Sequence, residues 1–419
     1  MTRFALREAH AHIPAHGRAM SMLRAGDCLN KEELLDLLGR AGGTGWVLAA
    51  GARVNAWADP RWPDRSELDR VQPDRPCCVM SFDHHSIAAN TAAMRAAGMS
   101  EDEPDPPGGV ICRDARTGTT TGLLLESAAM RVWHSAPEPG ESERRAHVLA
   151  ALKDLATHGF TEVHDLLSPA WLGPLLASLD ADGLLPCGVR LYAPQAELES
   201  QHAAATGPRG WERPRVRLAG AKCFADGTLN SRTAWMIEPY RDPLPGLPLG
   251  KPMMTAAELD SALALTRAKG LELAVHAIGD GAVRAVLDAR ERAGRESPPL
   301  RIEHCELIDS SDVVRFAEFG VAVSVQPCHL FADIEVLTRE LPHRLHRVLP
   351  LRELIDAGCA PGRGLWFGSD VPIVRPDPED SIRAAVHRGR AEVGPVIAPE
   401  QAITEDEAWR CFSPEECAR

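Results

Sequence analysis

The chain is predicted to fold as an α/β protein, a (β/α)8 TIM-like barrel with an insertion after its first strand. Three observations predict this. Short apolar runs alternate with helical stretches over most of the 419 residues, the pattern of βα units around a parallel sheet. Several of those runs end in a potential metal ligand or reacting group: His10 and His12, Lys222, His276, His304 and Asp370. A barrel gathers the C-terminal ends of its strands on one face, so groups so placed converge. Finally, a chain that is 44% hydrophobic and 25% charged can bury one large core, and single barrels with insertions reach this length.

The formal charge of −13 argues against nucleic acid or an anionic membrane as a partner, because no basic stripe is present to neutralise phosphates. A small-molecule substrate is expected instead. Eleven cysteines are scattered along the chain, Cys77 and Cys78 adjacent and no C-x-x-C pair present, which reads as buried thiols in a reducing cytosol. The sequence shows no charged-then-apolar leader and no apolar run near the ~18 residues that span a bilayer, so a cytoplasmic protein is expected. Nine tryptophans and the Met-containing segments offer surface for a homodimer.

In order, residues 4–12 read as the first strand, 14–17 as a loop and 31–40 as a helix. Residues 46–54 and 77–82 read as strands, 87–97 as a helix, and the Pro-, Gly- and Thr-rich 101–122 as loop and hairpin. The segment 30–140 is assigned to an insertion covering the barrel mouth within a single barrel spanning 1–419. Alternation resumes with a helix at 145–157 and strands at 159–165, 187–193, 216–224, 271–276, 300–304, 321–326 and 365–370. Thr404-Glu405-Asp406-Glu407 is a capping box that opens the last helix.

His10 and His12 lie two apart on a strand and so project from one face, half of a metal site. Lys222 is informative because only five of the 46 basic side chains are lysine, yet one sits inside the apolar run Val216–Phe224. A desolvated lysine sheds its proton more readily and can take up CO2 as a carbamate; an ion pair with Asp226, or a place at the strand's wet end, fits the residue equally. His276 and His304, each taken alone, fit a structural hydrogen bond as well as a ligand. Asp370, after Gly368-Ser369 and before Pro372, fits a helix cap or a catalytic carboxylate.

Together these residues resemble the amidohydrolase superfamily of metal-dependent hydrolases, and within it the N-substituted formamide deformylase branch. The matching segments are Asp83–Ser86 with Asn90, Lys222–Ala234, His276–Asp280, Arg301–His304, Ser324–Pro327 and Gly368–Pro372. Glu8 stands where the family often has aspartate, and His84 where it has glycine. His10 comes almost at once, so the small β-sandwich of the family is expected to be reduced or absent.

The resemblance implies a metal set of His10, His12, Lys222, His276, His304 and Asp370, holding one or two divalent ions, zinc by expectation, with a carbamylated Lys222. Asp370 would be the catalytic proton acceptor, and an activated water would cleave an amide, N-formyl or N-acyl C–N bond. His85, Asn90, Asp226, Arg232 and His329 are the candidate substrate contacts, with His164, Asp165 and Gln326 at other strand ends. The same residues would also serve a lactone, ester or cyclic-amide hydrolase or a non-hydrolytic metalloenzyme; a degenerate, metal-free binding protein is the remaining alternative.

Overall fold

A computed structural model describes residues 5–82, 84, 86–106, 109–244, 246–294, 298–389 and 395–413. The chain divides into two compact units, one of Met1–Ile13 with Leu152–Arg419 and one of Pro14–Ala151. These bounds lie outside the 30–140 expected from the sequence. Ile13–Met20 is a helix rather than a loop, because Pro14 sits in its first turn, where a missing N–H costs nothing. At Gly17 a Cβ would lie 2.1 Å from the His147 carbonyl oxygen, so only glycine allows that approach. At the other end the helix Ser127–Ser135 follows directly on the last inserted strand.

The first unit opens with β1 (Leu6–Ala11). The inserted unit carries β2 (Leu23–Arg24), β3 (Val47–Ala52), β4 (Cys77–Ser81), β5 (Ser86–Ala89), β6 (Gly109–Arg113) and β7 (Thr120–Glu126). They form one mixed sheet in the order β2-β3-β4-β5-β7-β6. Alternate residues of β4 face opposite ways: Cys77 and Val79 pack with Leu34, Leu38 and Leu68, while Cys78 and Met80 pack with Met94, Leu124 and Val132. Both faces of the sheet are therefore buried under helices. The helix expected over 87–97 is in fact a strand followed by a shorter helix, Thr91–Ala96, with Asn90 as its N-cap. Ile87 to Ala89 pair antiparallel with β4 and β7, and sheet pairing overrides their helix propensity.

The first unit resumes with β8 (Phe160–Leu166), β9 (Gly188–Pro194), β10 (Val216–Phe224), β11 (Glu272–Ala277), β12 (Leu300–His304), β13 (Val321–Val325) and β14 (Leu365–Phe367). With β1 they make an eight-stranded parallel sheet in the order β1-β8-β9-β10-β11-β12-β13-β14. The ring is brought round by two main-chain bonds, His12 N to Val371 O at 2.9 Å and Asp370 N to His10 O at 2.7 Å. Among the described residues these are the two sheets. No helix among the described residues is long and apolar enough to cross a membrane.

Within the first unit a buried polar column runs under the strand ends. The Arg301 guanidinium donates to the Glu303 carboxylate, to the Ala9 carbonyl, to Ser324 Oγ at 2.9 Å and to Tyr192 Oη at 3.4 Å, and Nη1 lies 2.8 Å from His164 Nδ1. Burial, opposed by the hydrogen bond to Glu162, pushes the His164 imidazole down to about 3. It therefore takes a proton only on unfolding, so the unfolded chain binds more protons below the ordinary imidazole value. Stability falls as pH drops from about 6.5 towards 4.5, at about 1.4 kcal/mol per pH unit for one such proton. His164→Gln should remove one proton's worth of that slope in urea unfolding at pH 7.5, 6.5, 5.5 and 4.5; parallel curves for variant and wild type would show that His164 carries none of it.

Candidate metal centre

The six residues expected as ligands come from five strands or the turns just after them. His10 lies on β1 and His12 immediately follows it, Lys222 lies on β10, His276 on β11, and His304 closes β12. Asp370 follows β14, and the main-chain bonds that complete the ring set it against His10 and His12. Gly368 makes this turn possible, since a Cβ there would meet His10 N at 2.6 Å and Glu8 Oε1 at 2.7 Å. Glu8 ties the two segments together. Its Oε1 accepts from His10 N and Ser369 N at 2.9 Å each, and its Oε2 accepts from Ser369 Oγ at 2.9 Å. His304 and Asp370 both adopt left-handed backbone, with φ of +71° and +60°. Such conformations cost free energy and persist where the surroundings over-determine them.

Each buried imidazole has one nitrogen committed outward. His10 Nδ1 bonds Glu303 Oε2 at 2.7 Å, His304 Nδ1 bonds Gln326 Oε1 at 2.8 Å, and His276 Nε2 bonds the Gly227 carbonyl at 3.0 Å. Acceptors on that side fix the tautomer and leave the opposite nitrogen with a lone pair, as outer partners do around metal-ligating histidines. Ring centroids of His10 and His304 are 4.9 Å apart, and those of His276 and His304 4.5 Å. Asp370 Oδ1 lies 3.3 Å from His10 Nε2 and 3.0 Å from His12 Nε2. It is buried without a well-formed hydrogen bond, and so is Lys222 Nζ.

Charge follows the same plan. Burial pushes His10 down to about 4 and His276 to about 3, and holds His304 well below the ordinary imidazole value. These rings are neutral donors at physiological pH. Burial opposes ionisation of Asp370, but the His10 and His12 rings outweigh it and hold the carboxyl well below the usual range. Likewise burial opposes Glu303, and Arg301 and then His10 keep it ionised. Burial also lowers the Lys222 amine to about 8. Donor atoms of His10, His304 and Asp370 lie within 4.8 Å of one another. Neutral imidazoles, an ionised carboxylate and two buried polar atoms without a well-formed hydrogen bond are what a divalent cation requires, so the residues present fit a metal.

The expected substrate contacts fare differently. All hydrogen-bonding capacity of Asn90 is spent inside the inserted unit: Oδ1 accepts from Cys77 N and Ala93 N at 2.9 Å each, and Nδ2 donates to the carbonyls of Gln72 and Arg75 at 2.8 Å each. Asp226 accepts from three backbone amides, Ile278 at 3.0 Å, Gly279 at 2.9 Å and Trp235 at 2.8 Å. Burial, against those bonds, pushes it up to about 7. Arg232 turns to Asp242, 3.1 Å from its Oδ2. These three shape their loops, and the ion pair between Lys222 and Asp226 is not made. His329 is buried, with Nε2 3.1 Å from the Ser369 carbonyl. His85 lies outside the described residues. Asp165 holds Ile13 N at 2.6 Å and Ser168 Oγ at 2.6 Å, and Gln326 orients His304. Sequence reasoning passed over Glu306, although its place two residues after His304 was visible.

An eight-stranded parallel barrel with histidines, a lysine and an aspartate gathered at its strand ends defines a metal-dependent hydrolase. The chain belongs to the amidohydrolase family, whose pattern matches residues 5–416. It is 31% identical to the Bacillus subtilis protein named amidohydrolase YtcJ, over 97% of this chain and 77% of that one. It is 29% identical to an N-substituted formamide deformylase of Arthrobacter pascens, over 88% of this chain and 69% of that one. Among solved structures it resembles an uncharacterized metal-dependent hydrolase of Pyrococcus horikoshii OT3, with a TM-score of 0.80 and 25% identity, over 98% of this chain and 79% of that one.

Proposed function

We propose that this protein hydrolyses a C–N bond of a small N-formyl- or N-acyl-amine. A divalent metal, zinc by its fit to imidazole and carboxylate donors, would be held by His10, His12, Lys222, His276, His304 and Asp370. The observation that carries the reading is a pair of buried atoms, Asp370 Oδ1 facing the Nε2 atoms of His10 and His12 without a well-formed hydrogen bond and Lys222 Nζ with none, set among imidazoles whose outward nitrogens are already committed. When bound, the metal supplies a Lewis acid that polarises a carbonyl and makes water acidic enough to attack near neutral pH.

The chain's own groups do the rest. Asp370, ionised by its imidazole neighbours, accepts the proton of the attacking water and returns it to the departing amine nitrogen. Lys222, lowered to about 8, is neutral in about a tenth of molecules at pH 7. Its amine attacks CO2; an N–C bond forms, a proton leaves, and the cation becomes an anionic carbamate with oxygen donors. Glu303 and Gln326 keep His10 and His304 in ligand orientation.

The test is a matched panel offered to the zinc-loaded protein: N-formyl and N-acyl derivatives of one set of amines, against esters and lactones of the same acyl groups. Amine release with kcat/KM of about 10⁴ M⁻¹s⁻¹ or more is expected for at least one amide. Turnover confined to the esters or lactones would replace the amide reading with its oxygen-ester counterpart.

A further inference from the structure

Arg301 lies two residues before Glu303 on β12, so the two side chains leave the strand on one face. Both are fully buried. The guanidinium reaches groups on β1, β8 and β9, none of which neighbours β12 in the sheet, so it crosses the barrel interior. Two of its donors converge on one residue, His10. Nε donates to Glu303 Oε1, and Glu303 Oε2 accepts from His10 Nδ1 at 2.7 Å. Nη2 donates to the Ala9 carbonyl, which belongs to the same peptide unit as His10 N. A ring is thereby closed through guanidinium, carboxylate, imidazole and the His10 main chain. One side chain from another strand holds the His10 imidazole at its outward nitrogen and its backbone together, with Nε2 left 3.3 Å from Asp370 Oδ1.

The guanidinium is itself fixed from outside that ring. Nη2 also donates to Ser324 Oγ on β13 at 2.9 Å, and Nη1 lies 2.8 Å from His164 Nδ1 on β8. Its central carbon stands 5.2 Å from the Tyr192 ring centroid and 5.0 Å from that of Trp366. A group anchored in this way does not drift with the imidazole it holds. Lysine is no substitute: it offers its donors from one nitrogen on a flexible stem, where arginine presents several in a rigid planar fork.

We infer that Arg301 is a positioning residue of the metal centre, setting the His10 ring through Glu303 and the Ala9 carbonyl together. The inference rests on the metal-dependent reading of the site and adds to it a side chain that is not among the ligands. Glu303 by itself ties down one end of the ring. With Arg301 the tilt of the imidazole relative to its own strand is set before a cation arrives, so binding has little left to order.

The test is zinc affinity of the full chain by chelator competition, with the visible absorption of the cobalt-loaded protein as a readout of ligand geometry. Arg301→Lys should bind zinc about 10–100-fold more weakly than wild type and shift the cobalt bands. Ser324→Ala removes a partner of the same guanidinium that lies outside the ring, and should match wild type in both readouts whatever it costs in thermal unfolding. Wild-type zinc affinity and cobalt spectrum in Arg301→Lys would overturn the inference. So would an equal loss of zinc affinity in Ser324→Ala, since loosening of the core would then account for both variants. If Arg301→Lys does not fold, a crystal structure of zinc-loaded wild type decides. Nε on Glu303, Nη2 on the Ala9 carbonyl and His10 Nε2 on the ion are expected together, and a loaded site lacking any of the three overturns the inference. Amide hydrolysis by a protein that fails one of these tests leaves the proposed function standing and removes only the role of Arg301; wild-type protein that takes up no zinc would remove both.

Discussion

Asp370→Asn is expected to lower kcat about 10³-fold while the protein folds normally. The substitution keeps the shape of the side chain and removes its charge and its capacity to accept a proton. Asn tolerates the left-handed conformation that position 370 adopts, so the backbone need not move. The turn is held by main-chain bonds, Asp370 N to His10 O at 2.7 Å and Ile373 N to Asp370 O at 2.9 Å, which the change leaves intact. What is lost is the carboxylate oxygen that lies close to both His10 Nε2 and His12 Nε2. Steady-state kinetics on zinc-saturated enzyme, with thermal unfolding as the control, decide the matter. Activity within about threefold of wild type would remove Asp370 from the proton path.

The second large effect belongs to Lys222. Replacing it by Met keeps most of the buried volume and deletes an amine that makes no hydrogen bond, so little packing should be lost. Wild-type protein is expected to hold zinc more tightly as bicarbonate is added, because carbamate formation turns a repelling cation into a ligand. The Lys222→Met protein should bind zinc at least about tenfold more weakly and ignore bicarbonate. Dialysis against zinc at several bicarbonate concentrations reads both. Equal affinity in the two proteins would mean that the lysine fills space and nothing more.

Much of this was legible from strand ends. His10, Lys222, His276, His304 and Asp370 stand where apolar runs stop, and the structure places them in one unit, in the order expected of a barrel. What the sequence did not disclose is contact between residues far apart along it. Glu303 bonds His10, and Glu8 joins β1 to the turn after β14; neither partnership has a local signature. Asn90, Asp226 and Arg232 looked like substrate contacts because they are polar residues in motif-bearing loops. Their hydrogen-bond partners proved to be backbone amides, backbone carbonyls and Asp242. The misread helix over 87–97 has a similar origin: Ser86–Ala89 is strand because β4 and β7 lie on either side of it, a fact that a serine, an isoleucine and two alanines cannot announce.

The three amides gathered by Asp226 have a consequence for motion. Trp235, Ile278 and Gly279 belong to loops, and loop amides ordinarily trade their hydrogens with solvent within seconds. Here one buried carboxylate pins all three, joining the rim of β11 to the long excursion after β10. In deuterium these amides should be retained as long as those of the neighbouring strands, marking a rim that opens only with the barrel itself.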